Sequence, residues 1–239
     1  MKIKKYELTD ETLSWNGHTL HRIKALRSFG DVEVGELGGW IENEDNLSQD
    51  DDCWVSDEAK VFGNAKVSDN ATVSDYAEVY GKAKVYGKAV VKDNAKVYGR
   101  AVVYGWVWVC DNAKVGGHAK VYGYADIRGY AWVFGDAQVY GNALLSDNAK
   151  VGGNAHVFGE AVLSGDAVIK ETKDYAVFKN TWSSGRYFTW TRSNDKWSVG
   201  CFYGTGKQLI KKAYADGELK GKCYETVVQM QNRISELLK

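Results

Sequence analysis

The chain has 239 residues, 31 basic and 31 acidic side chains, four cysteines and no proline. That length suits one large or two small domains, and without a run of 18 apolar residues a membrane-spanning helix is excluded. The start, MKIKKYELTDE, lacks the apolar stretch of a signal peptide, and Cys53, Cys110, Cys201 and Cys223 show no paired metal spacing, so free thiols in a reducing cytoplasm are expected.

Residues 1–34 do not repeat. Tyr6 to Trp15 and His18 to Ala25 read as strands joined at Asn16-Gly17, a dipeptide that accepts the left-handed backbone of a tight hairpin. His21, Arg22 and Lys24 fall on that hairpin, and its expected role is a cap over an otherwise open sheet edge. From Glu36 to Glu58 there are nine acidic residues and no Lys or Arg. This run is expected to start the next domain as an irregular coil, with Ile41, Leu47 and Cys53 in the position that small residues hold later. A solvated acidic edge is the expectation, with cation binding as the alternative.

From Ala59 to Ile169 one six-residue phrase recurs: AKVFGN, AKVSDN, ATVSDY, AEVYGK and so on. The small slot at 59, 65, 71 and onward to 167 is Ala throughout, except for Val107. The slot two residues later is always Val, Ile or Leu. Residues two apart on an extended segment face the same way, so Ala and Val point inward together. Gly, Asn and Asp follow, and these tolerate the positive φ of a corner. Each phrase is one short strand plus one corner. Three sides make a triangular coil of 18 residues, and stacked coils share a continuous core that one phrase could not form. A parallel β-helix is predicted over 35–171.

Reading every eighteenth residue gives the outward rows. The slot after Val runs Ser68, Tyr86, Tyr104, Tyr122, Tyr140, Phe158 on one side and Phe62, Tyr80, Tyr98, Gly116, Phe134, Gly152 on the next. The third side carries Ser74, Lys92, Cys110, Arg128, Ser146 and Ser164. Two sides therefore present aromatic ladders. Such a ladder could stiffen the coil by self-stacking, seat another subunit, or form a groove for a sugar or nucleotide. The expectation is a homotrimer seam along Tyr86, Tyr104, Tyr122, Tyr140 and Phe158.

Residues 172–239 carry twelve basic and six acidic side chains. YAVFKNTW, RYFTWTR and WSVGCFY read as three strands, turning at Ser183-Ser184-Gly185 and Ser193-Asn194-Asp195-Lys196. Lys207 to Ala215 reads as a helix ended by Asp216-Gly217. Tyr224 to Leu238 reads as a second, with Val227, Val228, Met230, Ile234, Leu237 and Leu238 as its apolar stripe. A small α+β domain is expected, with its Trp side chains in the core. The sharper alternative is a binding module for a protein, nucleotide or nucleic acid, using Arg186, Trp190, Arg192 and Trp197. Gly204-Thr205-Gly206-Lys207 is not a phosphate loop, because the spacing is incomplete and Gln208 stands where Ser or Thr is needed.

An aliphatic residue followed four positions later by a small one, as Val61 by Ala65, resembles the left-handed parallel β-helix of hexapeptide-repeat proteins. The left hand and the frequent trimeric assembly are implied by that resemblance. Together with "KKYELTDE…RIKALRSFGDVEVGELGGWIE" and the basic C-terminal part, the chain is similar to members encoded by bacteriophages and prophages, which are acyltransferase-like by fold. Acyltransferases of this fold use a catalytic His and a loop thrown out of the helix. The repeat here has no insertion, and His118 and His156 stand about two coils apart, with no third His in the helix to complete a metal site. The function expected is a non-catalytic oligomeric scaffold or binding protein without cofactor. The rival is an acetyl-CoA-dependent acyltransferase with His118 or His156 as base at a subunit seam.

Overall fold

The computed structural model describes residues 4–182 and 184–237. The expected turn residue Ser183 and the stripe residue Leu238 lie outside them. The hairpin forms as read, β1 over Tyr6–Trp15 and β2 over His18–Ala25, with Asn16 and Gly17 both at positive φ. It continues into β3 (Leu37–Ile41), and β3 pairs in parallel with Lys60–Val61. The hairpin therefore extends one face of the β-helix as antiparallel strands, while Tyr6, Phe29 and Val32 close the end of its core.

From Trp54 on, every coil has 18 residues. Trp54 pairs with Thr72, Val91 with Val109, and Lys150 with Val168. Three parallel faces result, within sheets of ten, seven and six strands. The small slot and the slot two residues later are buried throughout the repeat, in one continuous cluster. The corners hold Gly or Asp at positive φ. At Gly81 a Cβ would lie 3.0 Å from the carbonyl oxygen of Gly99, so that corner stack admits no side chain. The third corner uses Asp instead: the Asp75 carboxylate accepts the Asp93 N–H at 3.1 Å, and Asp93 accepts the Asp111 N–H at 3.1 Å.

The first coil departs from the expected register. Ile41 aligns with Val61 and Leu47 with Val67, both twenty residues on, so they occupy the large slot rather than the small one. Gly39 takes the small position, where a Cβ would lie 2.7 Å from the Ala59 oxygen. Cys53 does fill a small slot, fully buried beside the aligned pair Trp54 and Thr72. The two surplus residues fall in the acidic turn between Leu47 and Cys53. Lys5, fully buried, is inserted there: its ammonium donates to the carbonyls of Cys53 at 2.8 Å, Asp50 at 3.2 Å and Asp51 at 3.3 Å. The segment's backbone carbonyls, rather than its carboxylates, hold that charge.

At the other end the C-terminal unit closes the stack. It has four strands rather than three, because Gly200 at positive φ turns the expected last strand into Lys196–Val199 and Phe202–Gly204. The first two are Tyr175–Lys179 and Tyr187–Thr191. The last coil would leave its amides bare, and hydroxyl side chains meet them. Thr172 accepts from His156, Tyr175 from Phe158, Thr189 from Val162 and Ser193 from Val168, at 2.7–3.2 Å. Helix α1 (Gly206–Asp216) is capped by Thr205 and Gln208 in a reciprocal box, which explains Gln208 in the string that mimics a phosphate loop. Helix α2 (Glu218–Leu237) starts six residues earlier than expected. It buries Gly221, Tyr224, Val227, Val228 and Gln231, so Met230, Ile234 and Leu237 of the expected stripe are exposed.

Candidate functional site

The residues that give the molecule a distinct surface lie on the six-stranded face. Tyr86, Tyr104, Tyr122, Tyr140 and Phe158 come together as read from their spacing. Their rings stack in sequence at 5.0, 5.1, 4.8 and 5.3 Å between centroids, within 14° of parallel. The coil repeat sets this distance, since one strand follows the next at about 4.8 Å. Ring faces therefore point along the helix axis and ring edges point to solvent. Burial pushes the phenols of Tyr86 and Tyr122 above their ordinary range, and neighbouring phenols add to it.

A second row runs beside the rings, in the slot before Val: Lys66, Lys84, Val102, Lys120, Gln138, His156. All three lysines are exposed, and none forms an ion pair among the described residues. Between the two rows, at the hairpin end, lies an open groove of about 900 Å³. Its end wall is the turn Glu44–Gln49, where Glu44 is held by Lys4 at 2.7 Å and Gln49 by the backbone of Lys5 at 2.8 Å. Sequence reading missed the lysine row, although the stride of eighteen that exposed the rings also exposes it one slot earlier.

The ladder ends differ from one another. On the adjacent face Phe62 is covered by His18 at 5.1 Å, and Tyr98 leans over Gly116, where a Cβ would meet its ring at 2.4 Å. At the C-terminal end of the main ladder Phe158 meets the edge of Tyr175 at 6.5 Å. Beside them is an apolar recess of about 520 Å³ that includes Ala176, Val177 and Tyr187. The N-terminal face of Tyr86 has Ser68 in the position where the next ring would sit, and it opens into the groove.

The histidines are set apart. His118 lies on a corner with its Nδ1 3.2 Å from Asp136, and the two side chains are 59% and 66% exposed. Such a pair could orient an imidazole as base, but no wall of this chain encloses it. His156 is half-buried beside Phe158 and contacts no carboxylate among the described residues. In the C-terminal unit Trp190 and Trp197 are 4% and 1% exposed, and Trp190 donates its indole N–H to Asp195 at 2.9 Å. Both are core, so the alternative of a stacking platform with Arg186 and Arg192 does not form. Arg186 is exposed, while Arg192 packs half-buried near Asp174 at 4.0 Å. Asp93, Cys110 and Asp111 cluster at a corner, with both carboxylates engaged by backbone amides of the next coil. Burial and the surrounding carboxylates raise the Cys110 thiol to about 11.

No family model matches the chain. Over 75 residues it is 35% identical to a protein of Escherichia coli (strain K12) named uncharacterized acetyltransferase YdcK. The chain is distantly similar to an acetyltransferase. The aligned part covers 28% of this chain and 23% of that protein's length. No helix among the described residues is long and apolar enough to cross a membrane.

Proposed function

We propose that this chain is a non-catalytic binding protein: a rigid rod that assembles with copies of itself and presents the ladder face to a partner. The observation that carries this is the unbroken register from Trp54 to Ile169. Each coil is 18 residues, so no loop leaves the helix to wall a cleft around His118 or His156. Both rod ends are closed by the chain itself. Assembly through the C-terminal half of the ladder, Tyr122 to Phe158, is the reading we favour. Lys66 and Lys84 would repel their own copies in the N-terminal half, whereas Phe158 and its apolar recess would not. The homotrimer is the assembly implied by the resemblance to hexapeptide-repeat proteins, including the phage-encoded members. With Trp190 and Trp197 in the core, a protein or nucleotide partner there would meet Arg186, neighbouring lysines and the exposed Trp182. Four free thiols, one fully buried, suit a reducing cytoplasm.

A second reading is favoured by the similarity to YdcK and by the His118–Asp136 pair: acetyl transfer from acetyl-CoA, with a second copy supplying the missing wall. Assay of acetyl-CoA consumption with amine and hydroxyl acceptors separates the two. The binding reading predicts no turnover and no melting shift with acetyl-CoA. Turnover that His118→Ala or His156→Ala abolishes would defeat it.

A further inference from the structure

We propose that the vacancy in the ladder at Ser68 is a site for a nucleotide: a planar base stacked on Tyr86 and a phosphate held by Lys66 and Lys84. The argument starts from the ladder's own spacing. Each ring from Tyr86 to Phe158 lies about 5 Å from the next, and coil geometry offers the same spacing below Tyr86. There the chain supplies Ser68, a short, half-buried side chain lining the groove. The other ladder ends are closed by His18, by the lean of Tyr98 over Gly116, and by Tyr175. The face of Tyr86 instead borders a groove of about 900 Å³. A flat ring entering there would continue the stack, and base–aromatic stacking accepts any base because every base has a π-face.

The second half of the ligand follows from the lysine row. Lys84 and Tyr86 flank Val85 on one strand and both point outward, about 7 Å apart along the chain, at roughly 3.3 Å per residue. Lys66 holds the same place one coil below. A ring in the vacancy therefore has Lys66 on its own strand and Lys84 on the next, at a separation that a ribose bridges. Ammonium groups without partners in the protein suit a phosphate. Gln49 walls the far side, fixed by its hydrogen bonds to the backbone of Lys5 and Tyr6. Glu44 and Asp45 also line the groove at its end wall, Glu44 paired with Lys4, so the phosphate is placed on the Lys84 side of the Lys66–Lys84 pair. The inference does not require the assembly proposed above, because the vacancy and its walls belong to one chain.

Calorimetric titration of the full chain with ADP, adenosine and ribose 5-phosphate tests this. ADP is expected to bind most tightly, adenosine and ribose 5-phosphate at least tenfold more weakly, and ADP binding is expected to weaken with added salt. Ser68→Tyr places the protein's own ring in the vacancy. Its melting temperature should equal or exceed that of the wild type, while ADP affinity falls at least tenfold. Lys84→Glu, on an exposed strand position, should lose ADP binding yet keep adenosine binding. Absence of ADP binding by the wild type would overturn the proposal. So would ADP affinity unchanged in Ser68→Tyr and Lys84→Glu variants of normal melting temperature. Loss of self-association in Ser68→Tyr without any ADP binding would show that a second copy's side chain fills the vacancy, and would overturn it too.

Discussion

Lys5 shows how one side chain can organise an end of the molecule. Its ammonium is fully buried, and burial lowers its pKa, while the Cys53 thiol at 3.2 Å opposes that shift. The same burial raises the Cys53 thiol. Removing the cation leaves the Cys53 carbonyl without its donor, and an unsatisfied buried group costs about 1–3 kcal/mol. Lys5→Met is therefore expected to lower unfolding free energy by about 2 kcal/mol in urea melts. Glu58 gives a pH signature. Arg22, whose guanidinium donates to it at 3.0 Å, and then the Trp40 indole hold its carboxyl below the ordinary range. The unfolded chain thus takes up this proton at a higher pH than the folded chain. Its contribution is complete above the unfolded value of about 4.3 and is lost as pH falls through the folded one. Thermal melts between about pH 5 and pH 3 should show a smaller fall for Glu58→Gln than for the wild type; an identical fall would exclude the role.

The coil strands are two to four residues of regular pairing, too short to persist alone, and their stability comes from the stack. Val97→Asp puts a charge among Ala and Val side chains that are all 0% exposed, and severe loss of melting temperature is expected. An unchanged melt would contradict the inward register. At the C-terminal end, Thr189→Val removes the acceptor of the Val162 N–H at 2.9 Å, and a loss of about 1–2 kcal/mol is expected in urea melts. The repeat was legible because period six and inward Ala–Val are properties of the sequence itself. Its ladders were equally legible, since a stride of eighteen places Tyr86 under Tyr104. The first coil was not: Ile41 and Leu47 keep the hexad phase on paper, but two surplus residues around Lys5 shift them to the large slot. Trp190 and Trp197 show the other limit. Alternating Arg and Trp looks alike in a core strand and a binding strand, and burial against α1 and α2 decides between them. The groove was hidden for a further reason, because its end wall comes from the acidic turn, twenty residues away in sequence from the face it closes.

As a whole the molecule is a rod closed at both ends by its own chain, with one face that combines stacked phenols and unpaired lysines. The hairpin supplies antiparallel strands to one end, and hydroxyls of the C-terminal unit satisfy the amides of the other. Open parallel edges invite end-to-end polymerisation, and these two caps confine association to the sides. The central claim is that the ladder's C-terminal half is the side that associates. Sedimentation velocity of the full chain, beside a Tyr122→Ser/Tyr140→Ser variant of unchanged circular dichroism, tests it most directly. The account predicts a wild-type trimer of the 26.6 kDa chain and a variant shifted to monomer. A wild-type monomer, or a trimer that the double substitution leaves intact, would contradict it.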